Sequence, residues 1–270
     1  MKQGWLAGLA ATTLFAAIPA PSPQEIVQKS VVNTEEDWHA APQYNFTERD
    51  VVNKGSVQTK TYRVRMIDGS TYNELIAING KPLPPAQAEQ QQRKLSQVVA
   101  KRQNETAAQR SKRVGEYQRE RHQDNALLKQ MIEAFDFHLT GEETVGGRRC
   151  FVLEGLPKPG YQPTSRETKV LLGMRGKMWI DEQQYQWVKV EAEVFRPVAF
   201  GLFIAHVQPG TQFTLEQRPV NASLWLPSHF AMRVKANVLG IWSRNSTDDE
   251  TYWDYRPATR DETAANTARR

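Results

Sequence analysis

Three kinds of apolar and polar patterning follow one another along the chain. An uninterrupted apolar run from Trp5 to Ile18 comes first. From Pro23 to Asn33, Ile26, Val27, Ser30 and Val31 recur at helical spacing and predict a short helix with one apolar stripe. Between Gln43 and Asn79 the period changes to two, with Tyr62, Val64 and Met66 alternating against Arg63 and Arg65. Asp68-Gly69 marks a tight hairpin leading into a strand from Thr71 to Ile78. Asn79-Gly80 closes that strand, and Pro82, Pro84 and Pro85 stop any pairing beyond it.

The middle of the chain is different in kind. From Ala86 to Ala134 there is no proline and a single glycine, Gly115, while Gln, Glu, Lys, Arg and Ala dominate. These residues favour a helix. One unbroken rod would reach roughly 74 Å at 1.5 Å per residue, so a break near Asn104 or Gly115 is expected. Apolar residues gather at the two ends: Leu95, Val98 and Val99, then Leu127, Leu128, Met131, Ile132 and Phe135. The ends should pack on something; the middle has little with which to do so.

From Phe135 to Tyr255 strands dominate. Val188, Val190, Ala192 and Val194 alternate with Trp187, Lys189, Glu191 and Glu193, which predicts one buried and one wet face. Phe230, Met232, Val234 and Ala236 against Arg233 and Lys235 repeat the pattern, as do Phe213 and Leu215 against Thr214 and Glu216. Gly146-Gly147, Glu182-Gln183, Pro209-Gly210 and Leu239-Gly240 fall at hairpin intervals. The resulting set of about ten antiparallel strands must curl, split or close. The fold expected is therefore α+β: a strongly curved antiparallel sheet, an open half-barrel, around the N-terminal helix and carrying a long helical insert over 84–134.

The first residues bear on the compartment. Lys2, the apolar run, and Pro19-Ala20-Pro21 have the layout of a secretory signal over 1–20, too short for a membrane span. The expected division is signal 1–20, one domain over 21–257, and an aperiodic tail over 258–270. Export to the periplasm follows from that reading. The only cysteine, Cys150, excludes a disulfide scaffold and Cys-based metal or redox motifs. Its strand context, Arg149-Cys150-Phe151-Val152, predicts a buried, inert thiol.

Charge narrows the field further. The net charge is +5, from 35 Lys and Arg against 30 Asp and Glu, too mild to indicate nucleic acid. Between Lys101 and Asp124 seven cations face four carboxylates. Such interleaving reads as a solvated helix, with contact to anionic lipid heads as the functional alternative. His39, His122, His138, His206 and His229 stand in no metal-binding or hydrolase arrangement, and no cofactor motif is present. Glu191 and Glu193 share a strand face by i,i+2 spacing, which reads as solvated charge, with the carboxylate pair of a cell-wall carbohydrate hydrolase as the functional alternative.

Four segments together carry a family resemblance. Gly176-Lys177-Met178-Trp179-Ile180-Asp181, Trp187 to Glu193, Ser223-Leu224-Trp225-Leu226-Pro227 and Tyr252-Trp253-Asp254-Tyr255-Arg256 resemble the LolA-like superfamily of outer-membrane lipoprotein-sorting proteins. The likeness covers Gln43 to Asn79 and Phe135 to Arg256; the long insert departs from the compact members. The resemblance implies an unclosed barrel whose apolar cavity holds acyl chains. It implies a periplasmic, non-catalytic carrier of a lipidated or hydrophobic ligand. Hiding about fifteen methylenes is worth roughly 12 kcal/mol, which only a deep pocket supplies. Trp179, Leu202, Phe203, Phe213, Leu226, Phe230 and Trp242 are the expected lining. The alternatives are a sensor module that binds a cell-envelope protein partner through the same groove, and the hydrolase.

Overall fold

The computed structural model describes residues 21–53, 57–165, 167–200, 205–238 and 242–258. The expected signal, nearly all of the expected tail, the turn at Leu239-Gly240, and Leu202 and Phe203 lie outside the described residues.

Helix α1 (Pro23–Ala40) opens with a capping box. The Ser22 hydroxyl accepts from the Glu25 amide at 3.3 Å, and the Glu25 carboxylate accepts from the Ser22 amide at 2.8 Å. It continues past the expected end at Asn33, and the apolar pattern stops there because its later inward positions are polar. Thr34 and Asp37 are buried, and neither adds to a hydrophobic stripe.

Four strands follow: β1 (Tyr44–Asn53), β2 (Val57–Ile67), β3 (Ser70–Ile78) and the two-residue β4 (Lys81–Pro82). The insert is a hairpin of α2 (Pro85–Gln103) and α3 (Ala107–Ala134). Its break falls at Asn104, whose side-chain amide donates back to the Ala100 carbonyl at 2.8 Å. Thr106 and Gln109 cap the new helix reciprocally, and Gly115 stays inside it. Then come β5 (Phe135–Val145), β6 (Arg148–Pro157), a 3-10 segment (Glu167–Gly173), β7 (Met174–Asp181) and β8 (Trp187–Val194). The short β9 (Val198–Phe200) and β10 (Ala205–Val207) precede the long β11 (Gln212–Pro219), β12 (Trp225–Val238) and β13 (Trp242–Pro257).

All pairings are antiparallel, in the order β4-β3-β2-β1-β13-β12-β11-β8-β7-β6-β5, with β10 and β9 branching from the far end of β12. The sheet is open, as expected. Its two edges, β4 and β5, are linked through α2 and α3, so the insert joins the ends of the sheet that hydrogen bonds leave apart. Gly155 pairs with Gly176, and Gly176 with Ala192. A Cβ on Gly155 would stand 2.9 Å from the Phe137 ring, so the missing side chain lets that ring lie across the strand.

The core lies between α1 and the inner face of β5 to β8. Ile26 and Val27 meet Phe135, Leu153, Met178, Ile180, Val190 and Val194, all buried. One expectation changes here. The alternation in β8 placed Trp187 on the wet face, yet it packs into this core. The register slips between Trp179 and Ile180, where Ile180 pairs with Trp187 and Trp179 with Lys189. That bulge turns Trp187 inward and sends Val188 outward to Cys150, Val152, Trp179 and Trp225.

Candidate binding face

Helix α1 occupies only half of the trough, and it is held there by polar bonds. The Trp187 indole donates to the Ser30 hydroxyl at 2.9 Å, and Asn33 donates to the Gln184 carbonyl at 2.6 Å. The Trp225 amide donates to Asp37 Oδ1 at 3.1 Å. Burial pushes the Asp37 carboxyl up to about 6, against hydrogen bonds from the Trp225 amide and the Gln186 side chain that lower it. At its distal end α1 meets the insert through the Trp38 carbonyl, which accepts from the Arg121 guanidinium stacked on the Trp38 ring.

The other half of the inner face is built by β11, β12, β13 and β1. Phe213 pairs with Met232, and Leu215 with Phe230. Phe213 and Leu215 also reach the α1 core, which fixes this as the inner side. Phe230 pairs with Glu250, and across β13 Glu48 pairs with Tyr252. A bulge at Asp254, where φ is +58°, puts Tyr252 and Tyr255 on one side although they stand an odd number of positions apart. Both rings close on Phe46, at centroid distances of 6.0 and 5.3 Å. The Tyr255 hydroxyl donates to the Pro227 carbonyl at 2.7 Å.

This wall is apolar and aromatic but carries carboxylates. Burial, with Glu250 and Asp50 nearby, pushes the Glu48 carboxyl up to about 7. Burial and the hydrogen bond to Glu250 raise Tyr252, and burial raises Tyr255. Phe46, Tyr62, Phe213, Phe230, Met232, Tyr252 and Tyr255 all remain partly exposed. An inner sheet face covered throughout by helices would bury them.

The expected lining residues separate on this geometry. Phe213 and Phe230 come together on the open half. Trp179 lies on the outer face, where its indole donates to Glu143 at 2.8 Å between the ammonium groups of Lys177 and Lys189. Its parity, opposite to Met178 and Ile180, was the signal for that placement. Leu226 is buried and lines an outer-face groove. Trp242 starts β13, and its side chain is outside the described residues, as are Leu202 and Phe203. Phe46 and Glu48 were missed because the run Glu48-Arg49-Asp50 reads as surface charge.

The residues of the rival chemistry are ion-paired. Glu191 meets Lys189 and Glu193 meets Arg175 on the outer face, so each carboxylate has its own cation. His229 stands 3.0 Å from Asp249 on an open strand face. Among the described residues no cluster of three or more His, Cys, Asp or Glu is placed to hold a metal. Cys150 is fully buried, and burial pushes its thiol up to about 11. No helix among the described residues is long and apolar enough to cross a membrane.

Part of the charge of the insert is turned inward, while Lys101, Arg110, Lys112 and Arg119 stay exposed. Arg102 donates to the Ile67, Ser70 and Thr71 carbonyls at 2.7 to 3.0 Å. Arg113 holds Glu105 and the Ser70 hydroxyl, and Arg121 holds Trp38. Three of the cations that made the insert a candidate lipid-touching arm therefore hold it to the sheet and to α1.

No family model and no curated protein matches the chain by sequence. Several solved structures match most of its length. A putative outer membrane lipoprotein-sorting protein domain from Vibrio parahaemolyticus is 13% identical, covers 90% of this chain and 100% of its own, and has a TM-score of 0.35. A DUF1329 family protein from Desulfovibrio piger is 13% identical over 89% and 95% of the two chains, at 0.37. A LolA superfamily protein from Nitrosomonas europaea is 10% identical over 88% and 94%, at 0.33. These are likenesses of fold.

Proposed function

We propose that the chain is an exported, non-catalytic binding protein that shelters the apolar chain of a lipid or lipidated partner on the inner face of its half-barrel. One observation carries this reading: Phe213, Phe230, Met232 and their aromatic neighbours line an inner sheet face on which, among the described residues, they remain only partly buried. An open sheet face is ordinarily polar, and leaving such side chains wet has a cost that a guest would relieve. Because α1 fills the other half, a guest lies first along β11, β12 and β13. Full shelter for a long chain, worth roughly 0.8 kcal/mol per methylene, requires α1 to lift. The leader-like start of the chain supports an exported, periplasmic setting.

The test is direct. The chain purified after export should carry lipid detectable by mass spectrometry and should bind a fluorescent fatty acid saturably. Phe230→Asp should weaken both at least about tenfold while leaving the circular dichroism spectrum unchanged. Absence of lipid and of saturable binding in the parent chain would overturn the reading.

A further inference from the structure

The outer face of the same strands has the opposite character. Cross-strand register places Arg49, Thr251 and His229 in one row, and Thr47, Arg63 and Trp253 in the next. A groove of about 680 Å³ runs here, lined by Arg49, Arg218, His229, Leu226 and Trp253 among others. Beyond Asp254 a second groove of about 300 Å³ is lined by Arg63, Arg65 and Arg256. Among the described residues, two of these cations have no carboxylate partner. Arg49 touches only the Thr251 hydroxyl, at 3.1 Å, and Arg218 is exposed with no partner among the described residues. Arg63 reaches Glu74 only at 3.8 Å and is itself 47% exposed. Of the three acidic side chains in the groove, Asp249 takes His229 and Asp254 takes Arg256, while Glu216 lies across from His229. Trp253 stands at the rim, 43% exposed.

Two guanidinium groups with no carboxylate partner among the described residues and a third paired only at 3.8 Å, beside an exposed indole and over a shallow groove with Leu226 and Val220 in its wall, form an interfacial pattern. Arginines meet phosphate groups, and tryptophan settles at headgroup depth. We propose that this outer face docks the protein onto an anionic phospholipid bilayer, with Arg49, Arg63 and Arg218 on the headgroups and Trp253 among them. The opposite signs of the two faces favour one orientation. Glu48, Asp50 and Glu250 on the inner side are repelled by such a surface, and the arginines are drawn to it. Docking by this face is independent of what the inner face holds.

The experiment is vesicle co-sedimentation of the chain purified after export, using phosphatidylglycerol-containing and pure phosphatidylcholine vesicles. Binding should be confined to the anionic vesicles and should weaken with salt. Each cation near a charged membrane changes partitioning about five-fold, so Arg49→Gln/Arg63→Gln/Arg218→Gln should lose about a hundredfold. Brominated lipid should quench tryptophan emission in the parent and much less in Trp253→Phe. A control replaces the exposed insert cations Lys101, Arg110, Lys112 and Arg119 with Gln and should bind as the parent does. Equal binding to both vesicle types overturns the proposal. So does unimpaired binding by the folded triple variant, or loss of binding in the insert control instead. Soluble inorganic phosphate at millimolar concentration should not displace the vesicles; displacement would mark a phosphate site and overturn docking.

Discussion

The two halves of the sheet solve the same problem in opposite ways. In β5 to β8 the inner face is apolar and closed by α1, with Leu153, Ile180 and Val190 essentially inaccessible. In β11 to β13 and β1 the inner face mixes Phe46, Phe230, Tyr252 and Tyr255 with Glu48 and Glu250, and it stays open. One half has spent its hydrophobic surface on folding; the other retains it. Stability and binding should therefore be separable by position, with the first half controlling unfolding and the second controlling ligand.

The largest expected effect comes from the closed half. Leu153→Ala, cut from the middle of the α1 interface, should cost about 2–5 kcal/mol, read as a lower urea midpoint. Phe230→Ala, of larger volume but partly exposed, should cost about 1–2 kcal/mol. If Phe230→Ala proves the more damaging, the division of labour is wrong.

Binding should show the reverse order. Phe230→Asp sets a new charge against Glu250 within the apolar row and should weaken a fluorescent fatty acid at least about tenfold, one lost aromatic contact plus one buried charge. A conservative change in the closed half, Ile180→Val, should leave that affinity within about twofold. Equal losses from both would mean that the guest displaces α1 entirely.

How far the sequence discloses this depends on the half. The aliphatic positions of β6 and β7 follow from period two, since each strand contributes to a dry inner face. The pairing of Trp187 does not, because the bulge that turns it inward is a property of two strands in register and leaves no mark in either alone. The true end of α1 was hidden for a related reason: Thr34 and Asp37 are buried through hydrogen bonds, and a hydrophobic pattern is blind to those. The roles of Arg102, Arg113 and Arg121 were equally hidden, since a cation aimed at carbonyls looks like one aimed at water. The open half was half legible. Phe213 and Phe230 emerged from alternation, while Tyr255 joins Tyr252 only through the left-handed residue Asp254.

The join between the halves gives the next test. Asp37 holds the far end of α1 against Trp225, and its folded carboxyl is raised to about 6 from an ordinary 3.8. The folded state thus binds the proton more tightly than the unfolded chain does, so stability is lost as pH rises through that window. Asp37→Asn keeps an acceptor for the Trp225 amide without the buried charge. It should raise the melting temperature at pH 7.5 by about 3 °C or more and flatten the decline between pH 4 and 6. A melting temperature at pH 7.5 below that of the parent would show that the charge itself holds α1.

The smallest effect belongs to the open half and concerns the head of the ligand rather than its tail. Glu48 is raised to about 7 by burial among Tyr62, Tyr252 and the carboxylates of Glu250 and Asp50. Above that pH it is an anion facing the trough, and below it the carboxyl is neutral. A guest with its own carboxylate should therefore bind about two- to fivefold more tightly at pH 6 than at pH 8, the scale of one screened like-charge contact. Glu48→Gln should bind at pH 8 as the parent binds at pH 6. A neutral guest such as a fatty alcohol should show no such dependence in either protein. If the alcohol follows the same pH curve, the titration opens the trough rather than repelling the head, and Glu48 acts on α1 instead of on the guest.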